Sequence, residues 1–269
     1  MPPVTIIMRS GNAGLTLEPT LIRIREQSFT DYELLNYDLG SEDGSYELLK
    51  KFNPRTSRTE KTGSSPGQLL NHAVRKAKGE LVVFLDGNCL PVNNSWLANL
   101  IHPLCEENSP PAIGGRLITP GYLPLFHSNG PEFSLQAAAI RRDFLIRYPF
   151  DPGLVRLTAE EWAFRIGRLG YEIAFAADAE AIRPRPPGLA MIYQESYQDG
   201  LARGHIYGYR PNWRQGMLRP WLTACRADAA ALLRQFRFYA LPEALIYRGL
   251  ACWGDWRGRR DFFVQARGV

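Results

Sequence analysis

Through the first hundred residues, apolar runs of strand length alternate with stretches of helical spacing. Val4 to Met8 reads as a strand. Leu15, Leu21, Ile22 and Ile24 predict a first helix, and Pro19 limits where it can begin. Tyr32 to Tyr37 reads as a second strand ending at Asp38. The turn Gly40-Ser41-Glu42-Asp43-Gly44 leads to a short helix lined by Tyr46, Leu48, Leu49 and Phe52. Ser65-Pro66-Gly67-Gln68 joins an N-cap serine, a proline at the first helical position and a capping-box glutamine. That signal predicts a helix to Lys78, ended by Gly79. Leu81 to Leu85 is an apolar run of strand length, and Trp96, Leu97, Leu100, Ile101 and Leu104 repeat at helical spacing. Strand and helix in this order imply an α/β fold with a mostly parallel sheet and helices on both faces.

The middle is less regular. Ala112 to Ile118 and Leu135 to Ile140 read as strands, the first broken off by Pro120 and Pro124. Thr158 to Leu169 predicts a helix and Tyr171 to Ala176 a strand. Arg183-Pro184-Arg185-Pro186-Pro187 marks a boundary, because prolines at this density prevent regular structure. Two domains are expected, residues 1–183 and 184–269, the second a helical appendage rich in Arg and aromatics.

Composition narrows the class. The 269 residues can bury a substantial core. Four scattered cysteines, Cys89, Cys105, Cys225 and Cys252, form neither a disulfide framework nor a thiolate metal site, so a reducing, cytoplasmic setting is expected. No signal peptide or membrane-spanning run is read. From Leu201 onward twelve Arg stand against four acids, a balance of +8, whereas the whole chain carries +5 and everything before Leu201 therefore −3. A basic quarter points to an anionic partner. Arg214, Arg219, Arg234, Arg248 and Arg257 are interleaved with Trp213, Trp221, Tyr247 and Trp253. That pattern suits the surface of an anionic bilayer, with a peripheral place on the inner face of the membrane. It equally suits aromatics that pack the tail onto the first domain. No nucleic-acid recognition motif is present.

The chemistry concentrates where the apolar run Leu81–Leu85 ends in Asp86-Gly87-Asn88. In open α/β sheets ligands bind beyond the carboxyl ends of the strands. Two oxygen-bearing side chains one residue apart could hold a divalent cation there together with phosphate oxygens. Asp, Gly and Asn are also ordinary turn residues. After the first strand Gly11-Asn12-Ala13-Gly14 does not match GxGxxG, which removes the main support for a nicotinamide or flavin site.

Three segments together resemble the family-2 glycosyltransferases of the GT-A fold. They are Val4–Asn12, Leu34–Ser45 with its Asp-x-Gly-Ser-x-Asp-Gly turn, and Lys78–Asn88 with a Gly-Glu strand leading to Asp-x-Asn. The resemblance implies a GT-A-like, Rossmann-type sheet and transfer of a sugar from a nucleoside diphosphate sugar to an acceptor hydroxyl. Inversion and a lipid-linked or surface glycan acceptor go with it. Asp38 would then meet the nucleobase, or else cap its own turn. Asp86 and Asn88 would face the ribose, the diphosphate and a Mg or Mn ion.

The chain also departs from that family. Asn88 replaces the usual second acid and brings no charge, so metal affinity should be weak or absent. The family's Glu-Asp before the acceptor helix is here Thr158-Ala159, which leaves Glu160 as the candidate general base. Glu161 is expected to close a capping box with Thr158. Arg183 stands where the family often has a metal-binding His. It could pair with the diphosphate directly, or it is an exposed residue before the proline-rich segment. Departures at Asn88, Ala159 and Arg183 also fit a degenerate domain kept as a binding or scaffold subunit of a protein complex.

Overall fold

The computed structural model of the chain describes residues 3–59, 65–106, 108–118, 133–183, 189–209, 212–234 and 238–265. Pro120, Pro124 and most of the proline-rich boundary lie outside these. The described residues up to Arg183 form one compact unit, and those from Leu189 form another.

In the first unit the order is β1 (Val4–Ser10), α1 (Gly14–Arg25), β2 (Tyr32–Asp38), α2 (Ser45–Phe52), β3 (Ser57–Arg58), α3 (Pro66–Lys76), β4 (Leu81–Asp86) and β5 (Leu90–Pro91). There follow α4 (Trp96–Ile101), β6 (Ala112–Ile118), β7 (Ala137–Arg141), α5 (Arg142–Arg147), α6 (Thr158–Arg168) and β8 (Ile173–Ile182). The strands lie in one sheet in the order β3-β2-β1-β4-β7-β6-β8-β5. β7 and β5 run antiparallel to their neighbours and the other pairings are parallel. The expected mostly parallel sheet is therefore present.

Strand alternation splits the core over two faces. Val4, Ile6 and Met8 of β1 join Leu17, Leu21 and Ile24 of α1 and Trp96 to Ile101 of α4. Ile7, Val82 and Phe84 pack on the other face against Leu70 and Val74 of α3, Phe144 of α5 and Trp162 and Ile166 of α6.

The predicted capping box of α3 is fully formed. Ser65 Oγ accepts the Gln68 N–H at 3.2 Å, and the Gln68 side chain accepts the Ser65 N–H at 3.2 Å. Elsewhere the structure differs from expectation. α1 carries Pro19 inside it, and Leu15 is 97% exposed rather than core. The hydrogen bond that Pro19 cannot donate would go to the carbonyl of this exposed residue, where water can serve instead. β8 extends to Ile182 because three extra residues bulge out opposite the Gly115/Arg116 step of β6.

The second unit holds α7 (Leu189–Tyr207), α8 (Arg219–Arg234) and α9 (Leu241–Gln265). α7 and α9 run side by side in the same direction, with Tyr193 on Trp253 and His205 on Phe262. Glycines allow the close approach: a Cβ on Gly200 would lie 2.2 Å from the Asp255 carbonyl oxygen, and one on Gly258 2.1 Å from that of Tyr197. Several tail arginines are taken up inside this unit. Arg248 grips the buried Asp228 at 2.9 Å, and Arg203 and Arg259 both bind Asp255. No described helix is long and apolar enough to cross a membrane.

Candidate active site

The parallel strands end on one edge of the sheet, and the sequence-predicted residues of the first unit gather there. Ser10 at the end of β1 lies in register with Asp38 of β2, and Arg9 with Asp86 of β4. Asp38 and Asp86 thus stand two strands apart, about 10 Å. Alternation sends their side chains to opposite faces: Asp38 follows Asn36 onto the α1 side, and Asp86 follows Phe84 onto the α3 and α6 side.

Asp38 is fully buried. Its Oδ2 accepts the N–H groups of Gly40 and Ser41, each at 3.1 Å, and lies 3.4 Å from the Arg58 guanidinium. This is the turn-capping job. Its Oδ1 has no hydrogen-bond partner among the described residues. The loops after β1 and β2 are laced together around it. Ser41 Oγ accepts the Asn12 N–H, Asn12 Oδ1 accepts the Glu42 N–H, and Asp43 accepts the N–H groups of Gly14 and Ser45. The hydrogen bond from the Ser45 side chain, the largest influence, holds the Asp43 carboxyl below its ordinary range.

Asp86 is paired rather than open: Arg9 Nη2 donates to its Oδ1 at 2.7 Å, with both side chains about a fifth exposed (20% and 21%). Arg9 lies one residue past the expected strand Val4 to Met8, inside β1 as it forms, and no role was expected of it. Past Asp86 the chain turns through Gly87 and Asn88 and pairs β5 with the end of β8, Leu90 opposite Ile182. Extending that register sets Cys89 opposite Arg183, whose N–H donates to the Ile118 carbonyl at 2.8 Å. Cys89 is buried, and desolvation first and the Asp86 charge second push its thiol pKa far up, against the pull of Arg183 and Arg9. Arg9, Asp86, Asn88, Cys89 and Arg183 are therefore neighbours.

α6 brings Glu160 to the same edge. The segment leading into it meets the N-terminus of α3, where Ser65 Oγ donates to the Pro152 carbonyl at 2.6 Å, and α3 runs from there back to the start of β4. Phe150 anchors the approach, buried and edge-on to Phe84 at 5.7 Å, and the Asn71 amide bonds both its N–H and its carbonyl. Leu157 then takes a left-handed φ of 58° as the N-cap, which makes Thr158 the first helical residue, buried, with no side-chain cap. The expected Thr158–Glu161 box is thus not made. Glu161 instead grips Arg165 one turn on, at 2.7 and 3.2 Å. Ala159 packs onto the core and Glu160 lies partly exposed in the first turn.

A divalent cation, which the resemblance implies, would find here one carboxylate already bound to a guanidinium, a neutral amide oxygen and a buried thiol whose pKa is pushed up by its burial. Among the described residues no three His, Cys, Asp or Glu side chains come together as ligands. This donor set falls short of a metal centre.

Comparison with known proteins bears on the same residues. The family described as glycosyl transferase family 2 matches residues 5–149. A Haemophilus influenzae protein named as an uncharacterized glycosyltransferase is 30% identical over 98 residues, which is 35% of this chain and 39% of that protein. Glycosyltransferase AglE of Haloferax volcanii is 28% identical over 105 residues, 36% of this chain and 34% of AglE. The chain thus spans little more than a third of these curated relatives. Among solved structures, the mannosyltransferase PcManGT of Pyrobaculum calidifontis, in complex with GDP-Man and Mn2+, superposes with a TM-score of 0.69 at 21% identity, covering 98% of this chain and 88% of that one. At this identity the likeness speaks for the fold.

Proposed function

The chain belongs to glycosyl transferase family 2 and has the GT-A fold, and from that premise we propose that it moves a sugar from a nucleoside diphosphate sugar to an acceptor hydroxyl, with inversion. The observation that carries the reading is the gathering of Arg9, Asp86, Asn88, Arg183 and the N-terminus of α6 at one edge of the sheet. The diphosphate would lie over Asp86, Asn88 and Arg183, and the base beyond Asp38 and Arg58. Glu160 would take the proton of the acceptor hydroxyl as its oxygen attacks the anomeric carbon, and the bond to the diphosphate breaks with its electrons leaving on the nucleotide.

A second reading, a degenerate domain without turnover kept as a binding or scaffold subunit, is favoured by Ala159, whose methyl packs on the core where the family has its base. Calorimetry and hydrolysis assays with UDP-, GDP- and dTDP-sugars separate the two. Binding of one nucleotide class with slow hydrolysis is expected. Binding without any hydrolysis, or binding of none, supports the subunit and removes the transferase.

A lipid-linked or surface glycan acceptor at an anionic membrane is supported by α8. Its exposed face carries Arg219, Leu222, Arg226, Leu233 and Arg234, while its one acid, Asp228, is buried against Arg248. The chain should sediment with vesicles containing phosphatidylglycerol and not with pure phosphatidylcholine. Replacing Arg219 and Arg226 by Gln together should weaken this by ~30-fold, from about 1 kcal/mol per arginine. Equal binding to both vesicle types would exclude the electrostatic face.

A further inference from the structure

We propose that the donor diphosphate is neutralised by two guanidinium groups of the chain itself, Arg9 and Arg183, so that donor binding requires no divalent cation. The inference rests on the nucleotide-sugar reading above and names the chemistry of its phosphate subsite.

Three observations carry it. First, the position where a cation would sit already holds a cation of the chain. Arg9 Nη2 lies 2.7 Å from Asp86 Oδ1, and the pair is partly exposed at the strand ends. A metal ion on Asp86 would have to displace that guanidinium or stand beside it against like-charge repulsion. Second, the remaining donors are poor: Asn88 offers a neutral amide, and the described residues hold no cluster of three acidic, His or Cys ligands. Third, the Asp86–Asn88 turn is flanked from both sides. Arg9 comes from β1 in register with Asp86, and Arg183 comes from the end of β8, opposite Cys89.

The chemistry suits a diphosphate. A guanidinium has five N–H donors in a planar fork that matches phosphate oxygens, and it cannot lose its charge. Asp86 is hydrogen-bonded to one nitrogen of Arg9, which leaves donors for a second anion. Asp86 then acts as a positioning residue that aims the guanidinium. Its own negative charge is screened from the diphosphate by the group it holds.

The test titrates the full-length chain with UDP and with GDP, once in EDTA and once with Mn2+. An unchanged Kd between the two buffers is expected for whichever nucleotide binds. Arg183→Gln should weaken binding in EDTA by ~10–100-fold, the loss of a charge-assisted hydrogen bond. Arg183→Lys should recover part of it, because the charge returns without the fork. Arg9→Gln should weaken it by a similar factor, provided its thermal melt matches the wild type; the wild-type comparison and the Arg183 variants decide the matter if it does not. Binding that appears only with Mn2+ overturns the inference and leaves the transferase reading standing. Binding of neither nucleotide in either buffer overturns both.

Discussion

Replacing Glu160 by Gln should leave donor binding unchanged and lower donor hydrolysis, with water as acceptor, by ~10²–10⁴-fold, the range for loss of a general base. The split follows from the architecture. Glu160 belongs to the first turn of α6, whose position is set by Trp162, buried with its indole N–H on the Tyr148 carbonyl at 2.7 Å. The donor residues belong to β1, β4 and the end of β8. Gln keeps the size and cannot take the proton. Asp86→Ala should behave differently and lose both activities, with donor affinity falling by ~10–100-fold as Arg9 loses its aim. The two variants together localise the roles. Unchanged hydrolysis in Glu160→Gln would remove that residue as the base. Unchanged affinity in Asp86→Ala would take the phosphate site away from the end of β4.

Much of this edge could be read from the residues. Apolar runs and helical spacings gave the strand–helix order, because a buried parallel strand has few ways to look in sequence. The capping box of α3 was legible because its chemistry is local. What stayed hidden depends on partners far along the chain. Nothing near Arg9 says that residue 86 will lie beside it. Asp38 and Asp86 share an edge, but whether each faces α1 or α3 depends on the parity of two strands relative to their ends. A one-residue difference in where a strand stops reverses the face. Glu161 failed as a capping residue for a related reason. The left-handed Leu157 starts the helix one residue earlier than the Thr-x-x-Glu pattern needs, and a turn with positive φ at a leucine carries no sequence signal. The end of β8 lay beyond the expected strand, which stopped at Ala176, just before Ala177, Asp178 and Ala179. In the fold these residues bulge and then resume pairing, with Glu180 held by Arg116 at 3.1 Å.

The Gly-Glu step before β4 was read as part of a motif, and the structure supplies its physical reason. A Cβ on Gly79 would lie 2.5 Å from the Thr5 nitrogen and 2.6 Å from the Val4 carbonyl carbon. These are backbone atoms of β1 and cannot swing aside. The Gly79 N–H also donates to Thr5 Oγ1 at 2.8 Å, and the Glu80 N–H to the Pro3 carbonyl at 2.9 Å. The glycine therefore fixes where β4 begins against β1, and that register runs from Val4–Leu81 to Arg9–Asp86, about 16 Å along the strands. Gly79→Ala should cost about 3 kcal/mol, the upper end for overpacking, seen as a lowered denaturation midpoint. Because the displaced element carries Asp86, nucleotide affinity should fall with it. Gly167→Ala is the opposing control. It lies within α6 with open space around its Cβ position, and it should raise stability by about 0.5–1 kcal/mol through helix propensity alone. If Gly79→Ala melts like the wild type, β1 and β4 do not meet in this register, and the Arg9–Asp86 pair loses its foundation.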